Sequence, residues 1–395
     1  MRSWLILFSV VFITGCGVGR SSVSPYKKFS PQQLKHDFSV YRTMMEESHP
    51  SLYWYTSKDS IDHYFQIAES EIKDSMTEPA FRKVLAWMTS KFGCGHTAVR
   101  AAANVSRFTD TARLRVFPLS VKIWPATTEQ KRSYQPRDDD FMAVAANLNR
   151  RDTVFKRGTL IRAINGRPVN FIIDTLFEFM TTDGYNRTHK YQTLSNRGSF
   201  GSLYTAIFGL SEKYTIDYLD ASAQLKTAII PAYDPVKDTA GRTAIRQGPR
   251  PPQPSRKQRK QDLLVAARQL KIDSVNHTAF LTLNSFGRGY RLKKFFRHVF
   301  LELRKNKISH FIVDVRGNGG GSVTNSTFLT RFLADHRFKI ADSLYAPRKK
   351  STYGHYLSDD FFNRLFMTFF CKKKSDGNYH FGYFERHYFK PKKAR

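Results

Sequence analysis

Hydrophobic positions in the first quarter of the chain recur every three or four residues. Leu34, Phe38, Tyr41 and Met45 share this spacing, which is typical of one apolar face of a helix. The preceding run from Ser30 to Gln33 has an N-cap serine, a proline at the first helical position and a glutamine that closes a capping box. His49-Pro50 ends this helix, and further helices are predicted over 60–72 and 77–93. The pattern therefore predicts an N-terminal helical domain at residues 30–105.

From about residue 116 to residue 231 the pattern changes to short strands with one helix. Asn165-Gly166 stands between two short apolar runs, which is the sequence signature of a hairpin turn. A helix is predicted from Phe171 to Met180. We therefore predict a β-rich domain over 106–233.

Residues 234–262 are rich in Pro, Arg, Lys and Gln and have few apolar side chains, too few to offset the entropy lost on ordering. This composition predicts a basic linker over 234–270. From Ala279 onward, strands and helices alternate, which indicates an α/β domain over 271–395. The expected fold class is α+β with several domains: a helical domain, a β-rich domain and the start of an α/β core.

The chain has 64 Lys and Arg against 33 Asp and Glu, a formal net charge of +31. Clustered cations would favour nucleic acid, but these are spread along the chain without a recognition motif, so we predict no nucleic-acid partner. Attraction to an anionic membrane surface or acidic polymers is one interpretation of the charge. A merely solvated basic surface is the other, and the sequence leaves both open.

The amino terminus has the pattern of an export signal. A charged start precedes an apolar run over residues 4–13 that is too short to span a bilayer, and small residues then lead to Cys16. We predict a signal peptide over 1–15, lipidation of Cys16, a tether over 16–29 and a location on a bacterial envelope membrane facing the periplasm. An ordinary signal peptide is the alternative.

The two remaining cysteines, Cys94 and Cys371, lack the spacing of a metal site. They could form a disulfide or remain buried thiols, and the sequence leaves both open. We predict neither a metal nor a cofactor.

The run from Phe311 to Ser322 carries the most chemical information. A buried apolar strand ends in Asp314 and Arg316, and then breaks into Gly319, Gly320 and Gly321 before a helical pattern begins. Glycines let backbone N–H groups approach a ligand closely, and converging N–H groups near a helix N-terminus suit an oxyanion. No Gly-Lys-Ser/Thr follows, so a phosphate loop is not indicated. A tight turn without chemistry is the alternative.

The whole run resembles the Asp-x-Arg-x-Asn-x-Gly-Gly signature of the C-terminal-processing, or tail-specific, serine peptidases. The matching residues are Asp314, Arg316, Asn318, Gly320 and Gly321. The resemblance implies a ClpP/crotonase-like core, an oxyanion-binding N–H from Gly320 with Gly321 beside it in the catalytic site, and support of the turn by Asp314, Arg316 and Asn318. It also implies that residues 106–233 are the family's PDZ-like domain, a module that adds a peptide to a sheet edge.

The segment from His49 to Tyr53 resembles the start of the family's lipoprotein branch. A second element, Gly93-Cys94-Gly95-His96-Thr97, resembles the Asp-Gly-His-Thr element of that branch, with Cys94 in place of the acid. A histidine between glycines suits a general base or a substrate contact, so His96 is a candidate site residue. The alternative is a histidine hydrogen-bonded within a turn. His49, which precedes a proline, is interpreted as a turn residue without a catalytic role.

The resemblance also implies a nucleophilic serine and a later lysine beyond the glycine turn. No serine after Gly321 lies in a suitable small-residue elbow, so no nucleophile is identified and the chain is expected to hold only the first part of the family's core. The function expected is a serine-type peptidase that hydrolyses envelope polypeptides by Ser/Lys acyl-enzyme chemistry. The alternatives are a non-catalytic peptide-binding lipoprotein and an unstable truncated product. The oligomeric state is left open.

Overall fold

The computed structural model describes residues 22–126, 140–238, 254–356, 360–383, 385 and 390–394. The predicted signal peptide and Cys16 lie outside the described residues. The chain divides into two compact units, residues 1–245 and 246–395, each of which is described separately below.

The first part of unit 1 is helical. Its elements are β1 (Lys28–Phe29), α1 (Pro31–Ser48), α2 (Lys58–Ser70), β2 (Met76–Thr77), α3 (Glu78–Ser90) and α4 (Ala103–Ala112). The predicted capping box is confirmed, because Ser30 Oγ accepts the Gln33 N–H and Gln33 Oε1 accepts the Ser30 N–H. Leu34 and Phe38 of α1 are buried against Phe65 and Phe92, so the predicted apolar face is confirmed as well. The capping residues define where α1 begins, and the apolar face fixes which side packs inward.

Helix α4 crosses the predicted boundary between residues 105 and 106. The chain therefore does not change from helices to strands there, but at β3, which begins at Leu119. Within unit 1 the helical segment and the sheet segment each have a separate cluster of buried hydrophobic side chains. Unit 1 therefore contains two hydrophobic cores, one in its helical segment and one in its sheet segment.

The second part of unit 1 is built on a six-stranded sheet. Its strands are β3 (Leu119–Pro125), β4 (Asp140–Asn147), β5 (Leu160–Ile164), β6 (Arg167–Pro168), β7 (Lys213–Leu219) and β8 (Leu225–Pro231). The strand order is β3-β4-β5-β7-β8, every pairing is antiparallel, and β6 pairs with β5. Asn165 and Gly166 both have positive φ, 50° and 72°, as the predicted hairpin turn requires.

Among the described residues this sheet carries three helices, so the prediction of one helix was wrong. They are α5 (Val169–Phe177), α6 (Arg187–Leu194) and α7 (Ser199–Phe208). The predicted helix corresponds to α5, whose Ile172, Ile173 and Leu176 are buried. Helix α6 is mostly polar and buries only Tyr191 and Leu194, so its sequence lacks the periodicity on which the prediction depended.

Unit 2 begins with α8 (Arg256–Ala267), β9 (Arg268–Asp273), β10 (Thr278–Leu283), α9 (Leu292–Lys305), β11 (His310–Asp314) and α10 (Val323–Leu333). The sheet order is β11-β10-β9, with β10 parallel to β11 and antiparallel to β9. Ala279, Leu281 and Leu283 of β10 are buried in one cluster with Phe296 of α9 and Phe328 of α10. The α/β pattern is confirmed, but α8 and β9 occupy much of the predicted linker.

The rest of unit 2 is a small three-stranded sheet with a helix. Its elements are β12 (Tyr345–Ala346), a 3₁₀ turn (Gly354–Tyr356), α11 (Asp360–Phe370), β13 (Lys372–Lys373) and β14 (Tyr379–His380). In the part of the chain that is described, every helix is too short or too polar to cross a membrane.

Candidate active site

The glycine turn lies between the end of β11 and the start of α10. Gly320 has φ +98° and Gly321 has φ +137°, values that residues with a Cβ rarely adopt. The glycines are therefore required by the backbone path itself, as expected for a strand-to-helix turn that exposes its N–H groups.

The turn is fixed to the loop after β10. The Phe286 N–H donates to Gly320 O at 2.9 Å, and the Ser322 N–H donates to Phe286 O at 3.0 Å, so the two backbones run side by side. A Cβ built on Gly321 would lie 2.5 Å from the carbonyl carbon of Phe286 and from the amide nitrogen of Gly287. Only glycine allows this approach, and the approach holds the turn in place.

Asn318 makes two hydrogen bonds that define the turn. Its Oδ1 accepts the Gly320 N–H at 2.8 Å, and its Nδ2 donates to Leu283 O, at the end of β10, at 3.1 Å. The Gly320 N–H is thus already satisfied within the turn, which corrects the expectation that it is free to bind an oxyanion. The Gly321 N–H has no protein acceptor among the described residues, and Gly321 is exposed. The available donor is that of Gly321.

Asp314 and Arg316 form an ion pair at the start of the turn. Arg316 Nε donates to Asp314 Oδ1 at 3.0 Å and its Nη2 to Oδ2 at 2.8 Å, while the Arg316 backbone N–H also donates to Oδ1. This pairing lowers the pKa of Asp314 to about 2. Because the Arg316 side chain is 91% exposed, the pair shapes the loop rather than filling a core.

Asn325 is a support of the turn that the sequence did not reveal. Its Nδ2 donates to Phe286 O at 2.9 Å and to Gly287 O at 3.2 Å, which ties the first turns of α10 to the loop after β10. A single asparagine in a helical pattern has no signature of such a role, so no sequence signal could have identified it.

His96 lies in unit 1, whereas the glycine turn lies in unit 2. Its side chain is exposed in a loop held by its neighbours: the Gly95 N–H donates to Asp183 Oδ1 at 2.7 Å, and the Gly184 N–H donates to Gly93 O at 2.9 Å. These two hydrogen bonds fix the backbone of the loop that carries His96. His96 remains a candidate for a substrate contact.

His49 has a structural role, as the sequence indicated. Its Nδ1 accepts the Ser51 N–H, so in the neutral tautomer its Nε2–H donates to Thr97 Oγ1 at 2.9 Å. Burial lowers the pKa of His49, which favours that neutral form. Thr97 Oγ1 in turn donates to Cys94 Sγ at 3.5 Å. Cys94 and Cys371 are both free thiols.

The serines nearest the turn do not form a catalytic pair with a base. Ser326 Oγ donates to Val323 O within α10, and the Ser322 hydroxyl has no protein partner among the described residues. Over the same described ranges, no group of three or more His, Cys, Asp or Glu is placed to hold a metal ion.

The segment that contains the turn is similar to a known family. Residues 277–369 match the model of peptidase family S41. This match supports the resemblance to the tail-specific peptidases that the turn motif predicted. No curated protein matches the sequence.

The fold is similar to that of a solved structure of CPAF. A serine-to-alanine mutant of CPAF has a TM-score of 0.51 and 10% identity over 86% of this chain and 64% of that chain. Mature CPAF complexed with lactacystin has 0.47 and 12%, over 80% and 62%. The photosystem II D1 C-terminal processing protease has 0.29 and 12%, over 80% and 68%. The chain thus spans less than two thirds of the length of either CPAF chain.

Proposed function

We propose that this chain is part of a serine-type peptidase of the tail-specific family, in which it binds a polypeptide and stabilises the oxyanion. The observation that carries the proposal is the glycine turn, in which the N–H of the exposed residue Gly321 has no acceptor in the part of the chain that is described, while the turn is held by bonds to Phe286 and Asn318. A pre-positioned donor of this kind lowers the barrier by stabilising charge that develops only in the transition state.

In the proposed reaction a serine oxygen attacks the peptide carbonyl while its proton passes to a lysine amine. The carbonyl oxygen becomes an oxyanion that accepts the Gly321 N–H. Collapse of the intermediate expels the amine, which takes the proton, and water then hydrolyses the acyl-enzyme. We propose that the serine and the lysine come from outside these 395 residues, since no described residue is placed to act as a base for Ser322 or Ser326.

The β-rich domain offers an edge for peptide binding. Strand β3 is an edge strand of the sheet, and at Ile123 that edge is covered, because Ser195 Oγ bonds both the N–H and the carbonyl of Ile123. We infer that an added peptide strand would pair with the amino-terminal half of β3, near Leu119.

We also propose attachment to the envelope membrane through an acylated Cys16, on the basis of the export pattern before it. Metabolic labelling with a fatty acid should mark the wild-type protein and leave Cys16→Ala unlabelled. Equal labelling of both would exclude the anchor.

The peptidase proposal is tested with a fluorescent unstructured polypeptide, measuring binding by anisotropy and cleavage by gel. The chain alone should bind without cleaving. A form extended by the serine- and lysine-containing segment of a family member should cleave, with inhibition by a fluorophosphonate. Cleavage by the chain alone would contradict the proposal that the nucleophilic serine and the lysine come from outside these 395 residues. Binding without cleavage by the extended form would favour the non-catalytic peptide-binding lipoprotein, and no binding by either would exclude both functions.

A further inference from the structure

A cleft of about 340 Å³ opens beside the glycine turn. Its walls are the loop after β10, the first turn of α9 and the start of α10. The lining includes Arg288, Arg291, Lys293, Lys294, Ser322 and Asn325.

Four of these lining residues are cations that no acid neutralises. Arg288, Arg291, Lys293 and Lys294 are exposed, and across the described residues none of them has a carboxylate within ion-pair distance. From residue 283 to residue 333 the sequence has ten Lys and Arg but only two acids, Glu302 and Asp314. Asp314 is bound to Arg316, and Glu302 accepts from Asn306 further along α9. The cleft therefore carries a local excess of positive charge.

The backbone adds charge of the same sign. Neither α9 nor α10 has an acidic residue in its first turn, and neither has a side-chain cap. The unpaired N–H groups of both first turns contribute partial positive charge at their helix ends. Together with the four cations they make the cleft suited to anions.

The cleft is also next to the proposed oxyanion donor. Ser322, on its wall, follows Gly321 directly and donates its N–H to Phe286 O, and Arg288 lies two residues after Phe286. Both loops leave the carboxyl ends of the parallel strands β10 and β11, where α/β sheets bind their ligands. A group held in this cleft would lie beside the peptide that is being cleaved.

We propose that the cleft binds carboxylates of the polypeptide substrate and makes the protein prefer acidic segments near the cleaved bond. The proposal rests on the proposed peptidase function and names its substrate class. A polypeptide fits better than a membrane surface, because the cations line a concavity beside the glycine turn. Only a flexible chain can reach the cleft and the turn at the same time.

The test compares two triple variants of the full chain that remove the same charge. The cleft variant is Arg288→Gln/Lys293→Gln/Lys294→Gln. The control is Arg256→Gln/Lys257→Gln/Lys260→Gln, on the exposed helix α8. Each is titrated by anisotropy with a labelled ten-residue Glu-rich peptide, a Gln-substituted version of it and vesicles containing anionic lipid. Circular dichroism establishes that both variants are folded.

The cleft variant should bind the Glu-rich peptide about tenfold more weakly than wild type, because each exposed charge pair contributes a small factor and three are removed. The control should change by less than about twofold, and the Gln-substituted peptide should bind both variants equally. Equal losses of affinity for the Glu-rich peptide in the cleft variant and in the control would show that only the overall charge matters. This result would overturn the proposal. Cleft-dependent binding of vesicles, together with equal binding of the Glu-rich and the Gln-substituted peptide by wild type, would also overturn it. Failure of wild type to bind either peptide would instead refute the peptidase function.

Discussion

Gly321 lies so close to Phe286 that a Cβ at position 321 would stand 2.5 Å from the Phe286 carbonyl carbon. The contact joins the turn after β11 to the loop after β10, and the Gly320 carbonyl accepts the Phe286 N–H at the same place. The two loops can hold the exposed Gly321 N–H in position only while residue 321 has no side chain.

Gly321→Ala should therefore destabilise unit 2. We expect a loss of about 3 kcal/mol, because the φ of +137° is strained for alanine and the new methyl group overlaps backbone atoms. All four Trp residues lie before residue 125, so fluorescence would report on unit 1. Hydrogen exchange of peptides covering 278–290 is the suitable measurement.

Gly319→Ala is the matched control for that variant. No heavy atom lies within 4 Å of the added Cβ and its φ is not in the left-handed region, so we expect a change within about 0.5 kcal/mol. Equal protection of β10 in both variants would show that the contact with Phe286 does not hold the turn.

Arg316→Gln should raise the pKa of Asp314 from about 2 toward its ordinary value of 3.8. Because the folded-state pKa is lowered, the pair stabilises the fold above the pKa of the unfolded chain, and this stabilisation is lost as the pH falls toward about 2. A carbon-detected NMR titration of the Asp314 carboxyl group measures the midpoint. Lys305→Gln is the control, and an unchanged midpoint in Arg316→Gln would show that the pair does not form in solution.

His96→Ala should leave the stability of unit 1 unchanged within about 0.5 kcal/mol, because the side chain is exposed. Thr97→Ala should cost about 1 kcal/mol, since it removes the partner of His49 Nε2. Tryptophan-fluorescence unfolding in urea separates the two variants. A larger loss for His96→Ala would assign His96 a structural role and weaken it as a candidate substrate contact.

His380 should make the small C-terminal sheet sensitive to pH. Its Nε2 contacts Asp376 Oδ2 at 2.7 Å and its Nδ1 contacts Glu385 Oε1 at 2.9 Å, while Lys374 binds the other Glu385 oxygen. The hydrogen bond with Asp376, followed by that with Glu385, raises the pKa of His380. A raised pKa means that the stabilisation is complete below pH 6.5 and is lost as the pH rises through the folded-state value.

An NMR titration of the His380 ring in wild type, Asp376→Asn and Asp342→Asn checks this prediction. The midpoint should lie above 6.5 in wild type and fall in Asp376→Asn. Asp342→Asn is the control, because Asp342 pairs with Lys339. A midpoint in wild type at or below the ordinary value would contradict the ion pairs.

Local signals in the sequence predicted the elements that are decided by local interactions. The capping box at Ser30 fixed the start of α1, and Asn165-Gly166 fixed the hairpin, because each depends on residues only a few positions apart. Helix α6 was missed because its sequence is polar and its place is decided by packing of Tyr191 and Leu194 against the sheet. The predicted domain boundary between residues 105 and 106 was wrong, because α4 continues across it.

By itself the sequence determined the similarity of residues 277–369 to peptidase family S41, the strand-to-helix setting of the glycines and the identity of the residues around them, because these depend on order along the chain. Only the tertiary structure decided which segments hold the turn in place. Asn318 Nδ2 donates to Leu283 O and Asn325 Nδ2 donates to Phe286 O, and these contacts join residues 35 and 39 positions apart. Hydrogen-bond partners over such separations are set by where the strands end in space, and no local pattern encodes them.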